Sequence, residues 1–184
     1  MDDIRDFTSK TKDEIRQSLL QYRNTLADRP RLSRVIADKV LKMVQGNVLI
    51  YIAIGSEVET RCIADKLFSA CGVTLFAPYT EKDKITPKRL LSYGTADRMG
   101  NLPSECYDKD EIPSKIDFVL TPLLGFNERG HRIGYGKGCY DRFFADCSAY
   151  KIGLAFSGQQ IKFEPDPTDV PLDCCVTDKD VLYF

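Results

Sequence analysis

The sequence predicts a single α/β domain over residues 1–184, built in three layers with a mainly parallel central sheet flanked by helices. The first observation is an unbroken apolar run from Val48 to Ile54, which is typical of a strand covered on both faces. The second is Ser56-Glu57-Val58-Glu59, a capping box that predicts a helix continuing to Gly72. The third is a β-rich segment from Val73 to Phe76. This strand–helix–strand order favours a parallel sheet with helices packed on it.

Two helices are predicted ahead of this unit. Thr11-Lys12-Asp13-Glu14 is a capping box that opens a helix with an apolar stripe of 3.6-residue period. The stripe consists of Ile15, Leu19, Tyr22 and Leu26. A second helix is predicted after Pro30, with Ser33 as its N-terminal cap. Its apolar face consists of Ile36, Val40 and either Met43 or Val44.

The remainder of the chain carries shorter patterns. The segment from Pro78 to Pro113 is rich in turn-forming residues and contains one predicted helical stretch, around Lys88 to Tyr93. Four strands are predicted after it, at Phe118–Leu120, Ile152–Phe156, Cys174–Thr177 and Val181–Tyr183. No internal repeat, low-complexity tract or linker divides the sequence, so one domain is expected.

The composition restricts the function classes. Hydrophobic residues make up 43% and charged residues 29%, the balance of a soluble globular protein. The net charge of -1 gives no general attraction for nucleic acid or an acidic membrane, so an anionic ligand must be bound by a local group of Lys and Arg. No apolar run is long enough for a membrane-spanning helix and Met1-Asp2-Asp3 is unlike a signal peptide, which favours a cytoplasmic location. The seven cysteines show no C-x-x-C spacing, and free thiols are expected.

The strongest chemical signal lies in the segment from Gly130 to Phe144. We call its first part, from Gly130 to Gly138, the glycine-rich loop. A helix is predicted to start directly after this loop. The glycines of the segment are Gly130, Gly134, Gly136 and Gly138. Its three cations are Arg132, Lys137 and Arg142. Glycine lets backbone N–H groups approach an anion closely, and cations complete such a site. Asp141 is the one acid beside these cations, and a carboxylate next to bound phosphates is a usual ligand of Mg²⁺.

The spacing of this loop matches neither common phosphate-binding motif. No G-x-x-x-x-G-K-[ST] is present, and Cys139 occupies the position of the third glycine in G-x-G-x-x-G. On the residues alone, a glycine-rich surface turn with solvated charges therefore stays open as the alternative.

The run from Pro122 to Arg142 resembles the signature of the 5-formyltetrahydrofolate cyclo-ligase family: a Pro, a Phe, a Gly-x-Arg, and a glycine-rich run ending in Tyr-Asp. Three other stretches are similar to the family in the required order. They are Lys12 with Arg16, Tyr51 through Thr60, and Ile152 through Phe156 with Gln159, residues 169–173, Val176 and Thr177. Together they cover most of the chain except Pro78 to Pro113. The resemblance implies a NagB/RpiA/CoA-transferase-like fold.

The resemblance also implies a reaction. An enzyme of this family uses ATP and Mg²⁺ to convert 5-formyltetrahydrofolate to 5,10-methenyltetrahydrofolate, with release of ADP and phosphate, by phosphorylating the formyl oxygen. No protein nucleophile is needed, because catalysis consists mainly of aligning two ligands and neutralising phosphate charge.

Roles for individual residues follow from the same resemblance. The implied catalytic residues are Arg132, Lys137 and Tyr140. The implied ATP-binding residues are Lys12, Arg16, Arg132, Gly134, Gly136, Gly138 and Arg142. The implied folate-binding residues are Ile52, Glu57, Tyr135, Gly136, Lys137, Gly138 and Cys139. Asp141 and Asp169 are the implied Mg²⁺ ligands. The expected partners are small molecules only, with no nucleic acid and no membrane, and the chain is expected to act as a monomer.

The sequence departs from the family pattern at two positions. Cys139 stands where an aromatic residue usually precedes Tyr-Asp, and Thr168 stands where a His often precedes the Asp. Neither change removes a charge that the mechanism needs. A thiol site pairing Cys139 with His131, the only histidine, would lack a third orienting group.

Glu57 and Glu59 both lie at a predicted helix start, where acids are favoured by the helix dipole alone. Of the two, Glu59 is expected to act only as a cap, which leaves Glu57 for a ligand.

Two functions of other classes stay open. A non-catalytic binding module could keep the fold and the nucleotide pocket, but the intact Arg132, Lys137 and Asp141 argue against lost catalysis, and the near-neutral charge argues against an RNA-associated role. A sugar-phosphate isomerase-like enzyme could use the glycine-rich loop for a sugar phosphate. Dependence on ATP separates that enzyme from the ligase.

Overall fold

The computed structural model describes residues 4–108, 111 and 113–184, and it contains both strands and helices. In chain order they are β1 (Arg5–Asp6), α1 (Lys12–Thr25), α2 (Arg29–Val40), β2 (Gly46–Ile50), α3 (Arg61–Leu67), β3 (Val73–Glu81), β4 (Lys84–Arg89), β5 (Phe118–Pro122), β6 (Gly125–Phe126), β7 (Arg132–Ile133), α4 (Cys139–Ala145), β8 (Tyr150–Leu154), β9 (Ile161–Lys162), β10 (Cys174–Val176) and β11 (Val181–Tyr183). Short 3-10 turns lie at Ser104–Cys106 and Ser157–Gln159. The predicted strand–helix–strand unit corresponds to β2, α3 and β3.

A seven-stranded sheet forms the middle layer, in the order β11-β10-β8-β5-β2-β3-β4. The four pairings from β10 to β3 are parallel, and the edge strands β4 and β11 are antiparallel to their neighbours. Two small sheets lie apart from it, a parallel pair of β1 with β9 and an antiparallel pair of β6 with β7. The predicted α/β class with a mainly parallel sheet is confirmed.

Alternating side chains of the central strands build a core on each face of the sheet. On β2, Val48 and Ile50 pack with the apolar residues of α2 and α3, whereas Leu49 points to the opposite face, where it packs with Phe144 of α4. Each of these side chains is at most 5% exposed. Burial on both faces explains the unbroken apolar run that predicted this strand.

Helix α1 begins as predicted. The Thr11 hydroxyl accepts the Glu14 N–H at 3.4 Å, and the Glu14 carboxylate accepts the Thr11 N–H at 2.8 Å, which completes the capping box. Its buried residues are Ile15, Leu19 and, unexpectedly, Arg23. Half-buried Tyr22 lies beside this stripe rather than at its centre.

Two predicted helix caps are wrong. Helix α2 begins at Arg29 after Asp28, so Ser33 lies inside the helix, where its buried hydroxyl accepts the Glu59 N–H at 3.1 Å. Helix α3 begins at Arg61, and Ser56 instead accepts a hydrogen bond from Arg23. Short polar side chains can satisfy either a local or a distant partner, and here tertiary contacts use both hydroxyls.

Glu59 does act near a helix start, because its carboxylate accepts the N–H of Arg61, the first residue of α3, at 2.9 Å. The predicted helix bounds are shifted, since α3 ends at Leu67 and not at Gly72. The preceding strand is also shorter than predicted, because β2 ends at Ile50 and the chain continues without ladder pairing to Ile54.

The predicted helical stretch around Lys88 to Tyr93 is wrong. Lys84–Arg89 forms β4, which pairs with β3 through a hairpin turn at Lys82 and Asp83, both with positive φ. The hairpin buries Ile85 in the core beside the sheet, so tertiary pairing overrides the local helical pattern.

The sequence also led to expectations about the cysteines, the N-terminus and membrane-spanning helices. All seven cysteines are free thiols, as expected. Residues 1–3, which carry the acidic start of the sequence, lie outside the described residues. Within the described ranges, no helix combines the length and the apolar character needed to cross a bilayer.

Candidate active site

A cleft of about 910 Å³ opens at the carboxyl ends of the parallel strands. Ile52 enters it just after β2, Thr80 lines it near the end of β3, and Pro122 lines it at the end of β5. Helix α1, the glycine-rich loop, the start of α4 and residues 98–100 and 168–170 also line it. Open α/β sheets bind ligands in this position because the loops that follow parallel strands meet there.

The cleft brings together every residue that the sequence nominated for a site. They are Lys12, Arg16, Ile52, Glu57, Arg132, Gly134, Tyr135, Gly136, Lys137, Gly138, Cys139, Tyr140, Asp141, Arg142 and Asp169. They come from α1, the segment after β2, the glycine-rich loop, α4 and the segment before β10. Their individual chemical roles stay predictions.

We call the part of the cleft formed by Lys12, Arg16, Arg132, Lys137 and Arg142 the cationic side. Lys12 Nζ lies 2.6 Å from Asp166 and 2.8 Å from Asp169. Although burial works against its charge, these two carboxylates raise the pKa of Lys12, so it is a cation at neutral pH.

Arg16 connects α1 to the glycine-rich loop. Its Nε donates to the Gly134 carbonyl at 3.0 Å, and its guanidinium lies against Gly136. Gly136 has φ of +94°, and a Cβ there would approach Arg16 Cζ to 3.0 Å. Any other residue would strain the backbone and displace the Arg16 guanidinium, so this glycine is required by both conformation and contact.

Arg132 and Asp141 form an ion pair in the wall of the cleft. Their Nη2 and Oδ1 atoms lie 2.9 Å apart, and Arg132 also donates to the Val170 carbonyl at 2.7 Å. The Asp141 Oδ1 atom in turn accepts the Val170 N–H at 3.1 Å. Burial lowers the pKa of Arg132 and Asp141 opposes that shift, so the guanidinium stays charged.

Lys137 and Arg142 contact neutral atoms only among the described residues. Lys137 Nζ lies 2.8 Å from the Met99 sulfur, and Arg142 donates to the carbonyls of Lys137 and Asp83 at 2.6 and 2.9 Å. None of these three contacts neutralises a positive charge, so both cations are available to an anion in the cleft.

We call the part of the cleft formed by Ile52, Glu57, Tyr135 and Cys139 the Glu57 side. Glu57 is buried, and its Oε2 accepts the Ile54 N–H at 2.9 Å. Burial raises the pKa of Glu57, while the Ile54 N–H, Arg23 and the Tyr135 hydroxyl act to lower it. A buried carboxylate whose pKa stays raised despite these contacts is typical of a ligand-binding position rather than of a solvated surface.

The remaining protic groups of the cleft are neutral. Burial raises the pKa of Cys139, with Asp83 as the next contribution, so this residue is a thiol and not a thiolate at neutral pH. Burial and then Glu57 raise the pKa of Tyr140 well above its usual value, so its phenol keeps its proton and can donate it in a hydrogen bond. His131 is not among the residues that line the cleft, which argues against a Cys139–His131 thiol site.

Several residues at the site had no signal in the sequence. Arg98, Met99 and Gly100 line the cleft but belong to the segment for which no motif was recognised. Arg23 reaches Tyr135 from within the core, and its only sequence signal is a spacing of seven from Arg16, which places both on one face of α1.

The two predicted metal ligands border the same cleft, but both hold cations of the protein. Asp169 is paired with Lys12, and Asp141 is paired with Arg132. Over the ranges that the structure describes, no group of three or more His, Cys, Asp or Glu side chains is placed to hold a metal ion. Among the described residues, the two hydrogen bonds of Asp141, from Arg132 and from the Val170 N–H, both end on Oδ1.

The sheet, the glycine-rich loop before α4 and the clustered cations define a class of α/β protein that binds an anionic small molecule at the ends of its strands. A family model for the 5-formyltetrahydrofolate cyclo-ligase family matches residues 8–178. The chain therefore belongs to this family, as the resemblance of its motifs predicted.

Curated relatives agree with this assignment. A probable 5-formyltetrahydrofolate cyclo-ligase from Caenorhabditis elegans is 26% identical over 200 aligned positions, which cover 93% of this chain and 96% of the relative. The 5-formyltetrahydrofolate cyclo-ligase of Mycoplasma pneumoniae is 45% identical over 69 residues. That match covers 36% of this chain and spans less than half of the relative, 42% of its length.

Two solved structures share the fold. A 5,10-methenyltetrahydrofolate synthetase from Mycoplasma pneumoniae has a TM-score of 0.73 and 28% identity, with 92% of this chain and 99% of that one covered. The 5,10-methenyltetrahydrofolate synthetase of Aquifex aeolicus has a TM-score of 0.77 and 27% identity, with 94% of this chain and 92% of that one covered.

Proposed function

We propose that this chain catalyses the ATP-dependent cyclisation of 5-formyltetrahydrofolate to 5,10-methenyltetrahydrofolate, with release of ADP and phosphate. The observation that carries the proposal is that all the residues implied by the family motifs line one cleft, at the strand ends where α/β proteins bind ligands. The cleft has one side rich in cations and another with a buried carboxylate and apolar groups, which suits a polyphosphate beside a heterocycle.

On the cationic side, Lys12, Arg16 and Arg132 would bind the phosphates of ATP. Lys137 and Arg142, whose described contacts are neutral, would neutralise the charge that develops on the transferred phosphoryl group. The backbone N–H groups of Gly134, Gly136 and Gly138 would complete the phosphate site, because a glycine backbone offers donors without a side chain in the way.

Mg²⁺ is proposed to bind with ATP beside Asp141. This ion usually takes one or two protein carboxylates together with phosphate oxygens and water, so a site with few protein ligands fits it. Asp141 Oδ2 is the oxygen that its protein contacts leave for the ion. Asp169 is the weaker candidate because its Oδ2 already accepts from Lys12 and from the Asp166 N–H. The bound ion would supply charge neutralisation at the phosphates.

On the Glu57 side, Ile52, Tyr135 and Cys139 would contact the folate, and Glu57 would accept hydrogen bonds from N–H groups of its reduced pterin ring. The protonated Tyr140 phenol lies in the same cleft and would donate to the substrate near the reacting atoms. These contacts would hold the formyl group against the γ-phosphate.

Two bond-forming steps account for the products. The formyl oxygen bonds to the γ-phosphorus as the bond to ADP breaks, which makes the formyl carbon electrophilic. The neighbouring folate nitrogen then bonds to that carbon and loses its proton, and phosphate leaves with the former formyl oxygen and takes up the proton. Both nucleophiles belong to the substrate, so the protein needs to align and neutralise and does not need to form a covalent intermediate.

We further propose that residues 1–184 act as one domain and as a cytoplasmic monomer on small molecules only, without nucleic acid or membrane. The pairing of β1 with β9 supports the first point, since it ties the start of the described chain to its last third.

The test is an absorbance assay for methenyltetrahydrofolate formed from 5-formyltetrahydrofolate, with ATP and Mg²⁺ added together, singly and not at all. We expect product only when both are present. A folded sample that binds ATP but forms no product would support the non-catalytic binding module. Turnover of a sugar phosphate without ATP would support the isomerase-like alternative.

A further inference from the structure

Arg23 is a charged side chain buried in the core of the protein. It is 1% exposed and is among the largest fully buried side chains of the described residues. It lies on the core-facing stripe of α1 with Ile15 and Leu19, where an apolar residue would be expected. An unpaired charge at such a position is costly, so its partners indicate why it is there.

The three hydrogen bonds of Arg23 all end on neutral acceptors. Nε donates to Ser56 Oγ at 3.0 Å, Nη1 to the Leu123 carbonyl at 3.0 Å, and Nη2 to the Tyr135 hydroxyl at 2.5 Å. No carboxylate within the described ranges forms a salt bridge with Arg23. Hydrogen bonds therefore hold the guanidinium in place, but its charge is not neutralised by direct contact.

The Tyr135 hydroxyl connects Arg23 to Glu57. A phenol that accepts a hydrogen bond from a guanidinium still has its own proton to donate. Tyr135 and Glu57 line the same cleft, and the Tyr135 hydroxyl acts as a hydrogen-bonding partner that lowers the pKa of the Glu57 carboxyl. The direction of donation thus runs from Arg23 to Tyr135 and from Tyr135 to Glu57, and chains of this kind strengthen each member.

We propose that Arg23 is a positioning residue which, through the Tyr135 hydroxyl, keeps the buried Glu57 carboxylate ionised and held against the ligand in the cleft. The ionised form matters because a carboxylate accepts hydrogen bonds from N–H groups with both oxygens, whereas the protonated acid loses part of that capacity. The identity of the ligand rests on the proposed function, but the effect of Arg23 on Glu57 does not.

Other groups near Glu57 act on its charge as well. The Ile54 N–H donates to it, and Glu59 opposes its ionisation. Tyr51, next to the end of β2, and Tyr140, on α4, are neutral phenols whose pKa values are raised mainly by burial and then by Glu57. Arg23 is thus the cation that counters the burial of Glu57, which raises the pKa of this carboxylate.

The direct measurement is an NMR titration of the Glu57 carboxyl carbon in the ligand-free protein. Arg23→Met removes the charge but keeps an unbranched side chain, and we expect the pKa of Glu57 to rise by about one unit or more. Arg23→Lys keeps a charge without the guanidinium fork and should restore part of that shift. Tyr135→Phe removes only the connecting hydroxyl and should also raise the pKa, even if Arg23→Met fails to fold.

Ser56→Ala is the matched control. It removes one hydrogen bond from the same guanidinium, at Nε, but leaves the connection through Tyr135 intact. We expect it to leave the pKa of Glu57 within about 0.3 unit of its original value, because no charge or hydrogen bond of the carboxylate changes. A shift as large as that of Tyr135→Phe would mean that Arg23 acts through general packing, and would overturn the inference.

Steady-state rates give a second readout. For Arg23→Met, the fall of kcat/KM for 5-formyltetrahydrofolate on acidification should begin about one pH unit higher, with KM for ATP unchanged. Folded variants of Arg23 and Tyr135 with an unshifted Glu57 titration would refute the role of Arg23. An NMR shift without any folate turnover would refute the proposed function and leave the role of Arg23 standing.

Discussion

The cationic side and the Glu57 side of the cleft differ in how their charged groups are compensated. On the cationic side, the protein's own carboxylates already pair with three of the five cations. These pairs are Lys12 with Asp169, Arg16 with Asp13, and Arg132 with Asp141. On the Glu57 side, a buried carboxylate forms no direct salt bridge with any residue that the structure describes, and one guanidinium is proposed to support it through a phenol. A ligand on the first side must compete with acids, whereas a ligand on the second side meets a group already held in place.

This difference predicts how substitutions act. A change on the cationic side alters ion pairs whose acids compete with an incoming anion, so it should appear in ATP use and in turnover. A change on the Glu57 side alters a group whose position and charge are set before the ligand arrives, so it should appear in the pH dependence and in KM for the folate. Three substitutions test the contrast, in order of decreasing expected effect.

Asp141→Asn should produce the largest loss. Asparagine keeps an oxygen that Arg132 and the Val170 N–H can bond, but it removes the negative charge proposed to bind Mg²⁺. We expect kcat to fall about 100-fold or more, the usual cost of removing one electrostatic contact to a transition state, and the thermal unfolding midpoint to fall as well, because the buried Arg132 loses its ion-pair partner. Turnover and unfolding curves measure the two effects. Near-normal turnover would remove Asp141 from the mechanism.

Lys12→Ala should have an intermediate effect on ATP. The variant loses a charge-assisted contact and leaves Asp169 unneutralised beside the phosphates. We expect KM for ATP to rise about tenfold and KM for the folate to change little. Lys66→Ala is the matched control, since Lys66 pairs with the exposed Asp38 outside the cleft. An equal rise in both Michaelis constants would contradict the division of the cleft into two sides.

Cys139→Ser should have the smallest effect. Burial raises the pKa of the Cys139 thiol, so it does not act as a nucleophile, and serine keeps its size. We expect kcat and KM to stay within about threefold of the parent values, the range of an ordinary mild substitution. Loss of several orders of magnitude in kcat would instead restore the thiol-enzyme hypothesis.

The sequence predicted those parts of the molecule whose pattern is local. Strand β2 could be predicted from its apolar run and the start of α1 from its capping box, because burial and capping depend on neighbouring residues. The glycine-rich loop could be recognised because its backbone conformation requires glycine at Gly136, where Arg16 lies against the chain. The residues nominated from these motifs all reached one cleft.

The rest depends on distant partners, which a linear pattern does not contain. Ser33 and Ser56 resemble caps, yet their hydroxyls accept from Glu59 and Arg23. Lys88 lies in a stretch with a helical pattern, but pairing with β3 decides its conformation. Arg23 is the clearest case, because a cation in a helix normally faces water and only the fold shows that it faces the core.

Helix α1 touches both sides of the cleft, through Lys12 and Arg16 at its start and Arg23 near its end. Occupation of the two sides is therefore thermodynamically linked wherever a ligand changes the position of this helix. If ATP favours a position that also suits the folate, each ligand tightens the other by the same factor, since binding free energies are reciprocal. The total free energy of binding both ligands is then the same whichever ligand binds first. Helix α1 would be the element that transmits this cooperativity between the two sides.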